Sequence, residues 1–332
     1  MKLTSTLVGV LLFWPLWVQA QLTAADIYPS HAAMTWTSVT NVAPGTGELE
    51  IKGLPISLND NSLRVSLQGV AGAAVNFIKI DLEADSKKVT IAFEVDESGV
   101  LTAEVRFETP DVSWRSEYNA RLNSSLSDRP GGEITLQHFG RIKQSTDISW
   151  TGVAIRLSAS NIGPIMAGSK TGELTDNRIA IAEHIIPVDV ELWSAPIVEQ
   201  RGYYVATGVL GHGIPVLPGK AQLFRDGQIV GYTELPRLMR GNRFAVEFGV
   251  DEGFQVQISK TDEGMRPIAA SKSSQLYHLK LTNSHVGAAP MRLFNRMPAS
   301  NEDAQEEIPN ARSFVLRPGS TSITISHNVA AR

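Results

Sequence analysis

Seven histidines are the side chains of this sequence best suited to hold a metal or move a proton: His31, His138, His184, His212, His278, His285 and His327. No two stand at the i, i+2 or i, i+4 spacing that places imidazoles together on one face of a strand or helix. His138 falls on the apolar parity of its segment, where a core histidine bonded to the protein itself is expected. His212 lies between Gly211 and Gly213 ahead of Pro215, which reads as a solvated loop position. Among the carboxylates, Asp81, Glu83 and Asp85 have the spacing of the first three ligands of a calcium loop. Ser86 stands where that loop needs glycine and Ala92 where it needs its bidentate glutamate, so a solvated edge strand is the expectation. Asp251-Glu252-Gly253 reads as a turn. Gly208, Gly211 and Gly213 resemble a phosphate loop only superficially, since Pro215 and Pro218 follow where a helix would have to start. There is no glycine-x-serine-x-glycine elbow, and with no cysteine there is no thiolate ligand or thiol nucleophile. These patterns assign no catalytic residue, no metal ligand and no cofactor, and leave open a serine nucleophile assembled from distant positions.

Aromatic rings offer a different chemistry, stacking on the apolar faces of sugars. Trp36, Trp114, Trp150, Trp193, Tyr203, Tyr204 and Tyr232 are available. Trp114 and Tyr118 share an apolar parity and are expected in the core. Tyr203 and Tyr204 are adjacent and must point to opposite faces of a strand. Tyr204 and Trp36 are therefore the expected outward binding residues.

The elements that must position these residues are strands. Alternation with period two recurs along the chain, and helical periodicity is almost absent. Val89, Ile91, Phe93 and Val95 alternate up to Asp96-Glu97-Ser98-Gly99, and Leu101, Ala103, Val105 and Phe107 alternate after it, which predicts a hairpin. From Val112 to Asn123 the even positions are mostly apolar and the odd positions polar, the signature of a strand with one buried face. Asp226-Gly227, between Leu223-Phe224-Arg225 and Gln228-Ile229-Val230, supplies the positive φ angles of a two-residue hairpin turn. Residues 161–177, rich in Gly, Ser and Thr, read as a long loop, and 259–274 as a second break.

About fifteen short strands bounded by turns predict an all-β protein, with a small N-terminal β region followed by two antiparallel β-sandwich units and little helix. The boundaries this suggests are 21–75 for the N-terminal β domain, 76–200 for the first sandwich and 201–332 for the second. With 332 residues, of which 42% are hydrophobic and 19% charged, the chain is long enough for such cores.

The first twenty residues differ from the rest. Lys2, a short apolar run ending near Trp17, and Val18-Gln19-Ala20 make a secretory signal peptide with cleavage after Ala20 the expectation. The run is shorter than a membrane span and contains Pro15, so no transmembrane segment is expected after cleavage. A periplasmic or secreted location follows. The net charge of −4 and the lack of a basic patch interleaved with aromatics argue against a nucleic-acid partner. Glu302, Asp303, Glu306 and Glu307 form the one dense charged block, expected to be solvated.

Five blocks carry a family resemblance: 217–232 with its Asp-Gly turn, Trp114-Arg115-Ser116-Glu117-Tyr118, 150–158, Phe248-Gly249-Val250-Asp251 and Asn295-Arg296-Met297-Pro298. Their order and spacing, over about residues 100–310, resemble the mucoidy inhibitor A-like family, whose carboxy-terminal half is a domain of unknown function. Ile27-Tyr28-Pro29 and Gly53-Leu54-Pro55 through Val65 resemble its small amino-terminal domain. Relatives commonly carry a long coiled coil between these regions. Here only residues 76–88 occupy that place, without a heptad run. The resemblance supplies no catalytic residue. It implies an exported envelope protein, a non-enzymatic binding or assembly module affecting cell-surface polysaccharide, with an envelope protein or a polysaccharide as partner. The alternative is a hydrolase or other enzyme of cell-wall or polysaccharide metabolism with an unrecognised site.

Overall fold

Period-two alternation becomes strand throughout the described residues. The computed structural model describes residues 20–125, 131–146, 148–159, 166–171, 177–211, 215–260, 266–269, 272–294 and 311–330, and their only helix is a short 3-10 turn at Asp60–Ser62. The expected signal peptide up to residue 19, His212, the 295–298 block and the acidic block at 302–307 lie outside the described residues. The strands are β1 (Gln21–Ile27), β2 (Ala32–Val42), β3 (Gly45–Leu54), β4 (Arg64–Gln68), β5 (Ala74–Leu82), β6 (Lys87–Val95), β7 (Gly99–Thr109), β8 (Val112–Ser125), β9 (Gly131–Gln144), β10 (Ala154–Ser158) and β11 (Met166–Thr171). They continue with β12 (Arg178–Ser194), β13 (Tyr203–Val209), β14 (Gly219–Arg225), β15 (Gln228–Leu235), β16 (Arg243–Val250), β17 (Phe254–Lys260), β18 (Arg266–Ala269), β19 (Lys272–Asn283), β20 (Ala289–Leu293), β21 (Arg312–Leu316) and β22 (Gly319–Ala330).

The chain divides into two compact units, the described parts of 1–115 with 140–179, and of 116–139 with 180–332. This runs differently from the boundaries read at 75/76 and 200/201. Breaks in composition mark turns, whereas a sheet gathers strands from distant parts of the chain. β2 pairs with β7 across the expected boundary at 76, and the unit division falls inside β8, β9 and β12.

In the first unit, a six-stranded sheet has the order β11-β10-β1-β2-β7-β4 and a three-stranded sheet the order β3-β6-β5. β1 lies antiparallel to β2 and parallel to β10. The inward residues are Met34, Trp36 and Ser38 of β2, Leu101 to Phe107 at alternate positions of β7, Leu49 and Ile51 of β3, and Val89, Ile91, Phe93 and Val95 of β6. Fully burying each Val, Leu, Ile or Phe contributes about 1.5–3 kcal/mol. The hairpin expected around Asp96-Glu97-Ser98-Gly99 does not form: β6 pairs with β3 and β5, whereas β7 pairs with β2 and β4. The chain changes sheet at this turn. Alternation with odd positions buried on both sides fits either outcome, so the sequence pattern is the same.

The second unit holds a nine-stranded sheet, with the path β15-β14-β8-β9-β12-β13-β16 and β20 and β21 joined through β12, and a four-stranded sheet of β17, β19, β18 and β22. One core cluster runs from Tyr118, Ala120 and Leu122 to Phe244, Val246 and Phe248. Another joins Leu192, Met291 and Leu293 of the larger sheet to Phe254, Val256, Leu279 and Leu281 of the smaller, packing one sheet on the other. β8 has the faces read from its alternation: Val112, Trp114, Tyr118, Ala120 and Leu122 are buried and Arg115, Arg121 and Asn123 exposed. The Asp226-Gly227 turn has φ of 53° and 79°, the left-handed pair that a two-residue hairpin needs. Two of the expected breaks contain strands, β11 within 161–177 and β18 within 259–274.

β14 runs parallel to β8, with Gly219 opposite Ser116. A Cβ at Gly219 would overlap the Ser116 carbonyl oxygen, so only glycine permits this approach. Just before it, the Tyr118 hydroxyl donates to the Leu217 carbonyl at 2.8 Å and accepts from the Leu217 N–H at 2.9 Å. Burial pushes this phenol up to about 12, against hydrogen bonds involving Ser116 and Leu217. The Tyr118→Phe variant leaves two backbone groups without their partner and is expected to lose about 2 kcal/mol of unfolding free energy in urea.

Candidate functional site

Trp36 sits in the middle of β2, opposite Leu22 of β1 and Val105 of β7. The expected outward orientation is therefore corrected: the side chain shares the inward parity of Met34 and Ser38, and only 8% of the residue is exposed. The sequence carried this signal, because a residue two places from a core methionine must share its face. Its environment is nevertheless more than core. Trp36 lines a cleft of about 520 Å³ in the first unit, and its indole Nε1–H has no hydrogen-bond partner among the described residues. A buried donor without a partner is uncommon and costly.

Loops at strand ends build the rest of the cleft. The start of β1 contributes Gln21 and Leu22, the end of β3 Leu54 and Pro55, the β5–β6 turn Asp85 and Ser86, the β7–β8 turn Asp111, and the segment after β9 Ser145, Thr146 and Ser149. Asp111 is fixed from several sides. Its carboxylate accepts the Ser57 hydroxyl, which also lies 2.7 Å from the Thr109 Oγ1, and its N–H donates to that same Thr109 oxygen at 3.2 Å. The Asp111 carbonyl accepts from the Ser145 N–H at 3.0 Å. No Lys, Arg or His lines the cleft among the described residues. Two carboxylates, several hydroxyls and an aromatic ring suit a ligand rich in hydroxyl groups and disfavour an anion. The volume lies within the usual range of small-molecule sites.

Tyr204, the other residue expected to face outward, belongs to the second unit and is half-buried. Its ring packs against both core clusters there, with the Arg225 guanidinium 4.2 Å above it and His285 edge-on at 6.4 Å. Burial first, then the Asp251 charge, pushes its hydroxyl up to about 12. Tyr203 is half-buried as well, its hydroxyl donating to Glu199 at 2.6 Å. The adjacent tyrosines thus take opposite faces, as expected, with neither standing clear as a platform.

Beside Tyr204 the fold brings together two residues that the sequence keeps 34 positions apart. Asp251, 3% exposed, receives the Gly253 N–H at 2.8 Å, and its carboxylate oxygens lie 2.7 and 3.0 Å from His285 Nε2. Asp251 does make the expected turn, but the histidine partner has no spacing signal. Among the described residues no side chain hydrogen-bonds His285 Nδ1. His138 is 1% exposed, as its parity predicts, and stacks on Tyr118 at 4.4 Å. Its Nε2 lies 2.9 Å from Ser116 Oγ, and its Nδ1 has no partner among the described residues. A neutral ring protonated on Nε2 donates to Ser116 and leaves only a lone pair unmatched. Asp81 lies on the edge strand β5, ion-paired with Lys79 at 2.8 Å, in keeping with a solvated strand.

Comparison with known families gives two matches. The family described as a domain of unknown function (DUF4139) matches residues 103–308, and the N-terminal domain of unknown function (DUF4140) matches residues 25–107. No curated protein and no solved structure matches the chain.

Proposed function

Since the chain belongs to the family of the domain of unknown function DUF4139, with a DUF4140 domain ahead of it, we propose that it is a binding module that holds a saccharide in the Trp36 cleft. The observation that carries this reading is the cleft itself, where the Trp36 ring stands among hydroxyls and carboxylates without a cation among the described residues. Sugar hydroxyls donate to the carboxylates of Asp111 and Asp85, with the Trp36 ring beside them. Apolar walls at Leu22, Leu54 and Pro55 suit the carbon face of a pyranose.

The protein in this reading is exported by the signal peptide at 1–20 and acts in the periplasm or outside the cell, as a mucoidy inhibitor A-like protein affecting surface polysaccharide. Its ligand is then a neutral or amino-bearing glycan of the envelope. The Trp36→Phe variant separates binding from folding. It removes a buried donor without a partner, a gain of about 1 kcal/mol, and leaves a gap where the larger ring stood, a loss of similar size, so stability is expected to hold. Affinity for glycans retained on a saccharide array is expected to fall about tenfold, the equivalent of about 1.4 kcal/mol of contact with the lost part of the ring. An array on which the purified chain retains no saccharide, or a variant that binds as well as the native chain, contradicts the proposal.

A further inference from the structure

β5 is the edge of the three-stranded sheet, bonded to β6 on one side and, among the described residues, to no strand on the other. Edge strands are usually blunted by bulges, prolines or a run of charge. Here the one irregularity in the pairing falls early, between Val75 and Phe77, and the strand runs in regular register from there to Leu82. That regular stretch exposes apolar side chains: Phe77 is 57% exposed, Ile78 36% and Leu82 71%. Its sequence is set up for a particular partner. Ile78-Lys79-Ile80-Asp81-Leu82 reads the same by chemical type in both directions, apolar, charged, apolar, charged, apolar, with the two charges opposite in sign.

We infer that β5 pairs antiparallel with β5 of a second copy of this chain, about a twofold axis through Ile80. Keeping the apolar faces of the two copies on the same side restricts the register to those in which a residue lies opposite itself. Lys79 opposite Lys79 and Asp81 opposite Asp81 set like charges against each other. Ile80 opposite Ile80 instead places Ile78 against Leu82 twice and Lys79 against Asp81 twice. The charges that guard the edge against other strands thus become the ones that admit this strand. In the same arrangement Ile78 and Ile80, which lie opposite Ile91 and Val89 of β6, extend the apolar stripe of each sheet into the other. The Lys79–Asp81 ion pair within one strand is exchanged for two between strands.

The test uses charge reversal at the two positions, with molar mass measured by light scattering during size-exclusion chromatography. The native chain is expected to elute as a dimer. Lys79→Asp sets two carboxylates opposite each other at both crossings of positions 79 and 81, and Asp81→Lys sets two ammonium groups there. Each variant alone is therefore expected to lose dimer affinity about tenfold or more. Mixed in equal amounts, the two are expected to recover a dimer of one copy of each. The first variant is acidic at both positions and the second basic at both, so each crossing in the mixed dimer again joins opposite charges. Neither variant retains an ion pair between these positions within its own strand, so recovery can come only from contact between chains. Unchanged circular dichroism spectra show that the variants fold. A monomeric native chain, variants that dimerise like the native chain, or a mixture that stays monomeric would each overturn the inference.

Discussion

Acidification from pH 7 to pH 4 is expected to remove about 3 kcal/mol of unfolding free energy through His138. Burial, with a smaller contribution from His184, lowers this imidazole from 6.5 to about 4 in the folded chain. Above the unfolded value both states leave the ring neutral, and its contribution to stability is fully present. Between that value and about 4, the unfolded chain takes up a proton that the folded chain refuses. Stability is then lost as pH falls, at about 1.4 kcal/mol for each unit between the two values. His184, also lowered by burial, adds to the loss with the same sign. Urea unfolding at several pH values reads the slope directly. In the His138→Gln variant, whose amide can still donate to Ser116, most of it should vanish. An unchanged slope would place the acid sensitivity elsewhere.

Removing either member of the Asp251–His285 pair is expected to cost about 2–3 kcal/mol. His285→Ala leaves a nearly buried carboxylate with the Gly253 N–H as its remaining hydrogen bond among the described residues. Asp251→Ala loses both that bond and the histidine, leaving the Ser284 N–H bond to the Gly253 carbonyl to hold the β16–β17 turn to the loop after β19. Because the two residues act on one interaction, the double variant should cost less than the two single losses added together. A double-mutant cycle by urea unfolding measures this, and additive losses would mean that the contact contributes nothing. The same cycle bears on the enzymatic alternative, since a dyad kept for stability has a structural reason to exist.

What the sequence made legible follows from how local the signal is. Alternation in 112–123 gave both faces of β8, and Asp226-Gly227 gave the hairpin turn, because each depends on residues in direct succession. The change of sheet between β6 and β7 was hidden, since the same turn residues and parity serve a hairpin or a crossing. The unit division inside β8, β9 and β12, and the parallel pairing of β8 with β14, depend on strands far apart in the chain. At the candidate site, aromatic chemistry singled out Trp36, and the parity of β2 then placed it in the wall of a cleft. Asp111 carries no sequence signal because its partners, Ser57 and Thr109, are ordinary residues that only the fold makes into a constellation. His285 is a further case: no spacing links it to Asp251, and a long excursion through the smaller sheet brings it back.

The most direct test of saccharide binding in the Trp36 cleft is the indole N–H resonance of that residue in a proton–nitrogen correlation spectrum. The resonance is assigned by its disappearance in Trp36→Phe. On titration with a glycan retained on the array, it is expected to move progressively and saturate together with the backbone signals of Asp85 and Asp111. A titration in which binding saturates while the Trp36 indole signal stays where it was would contradict the proposed site.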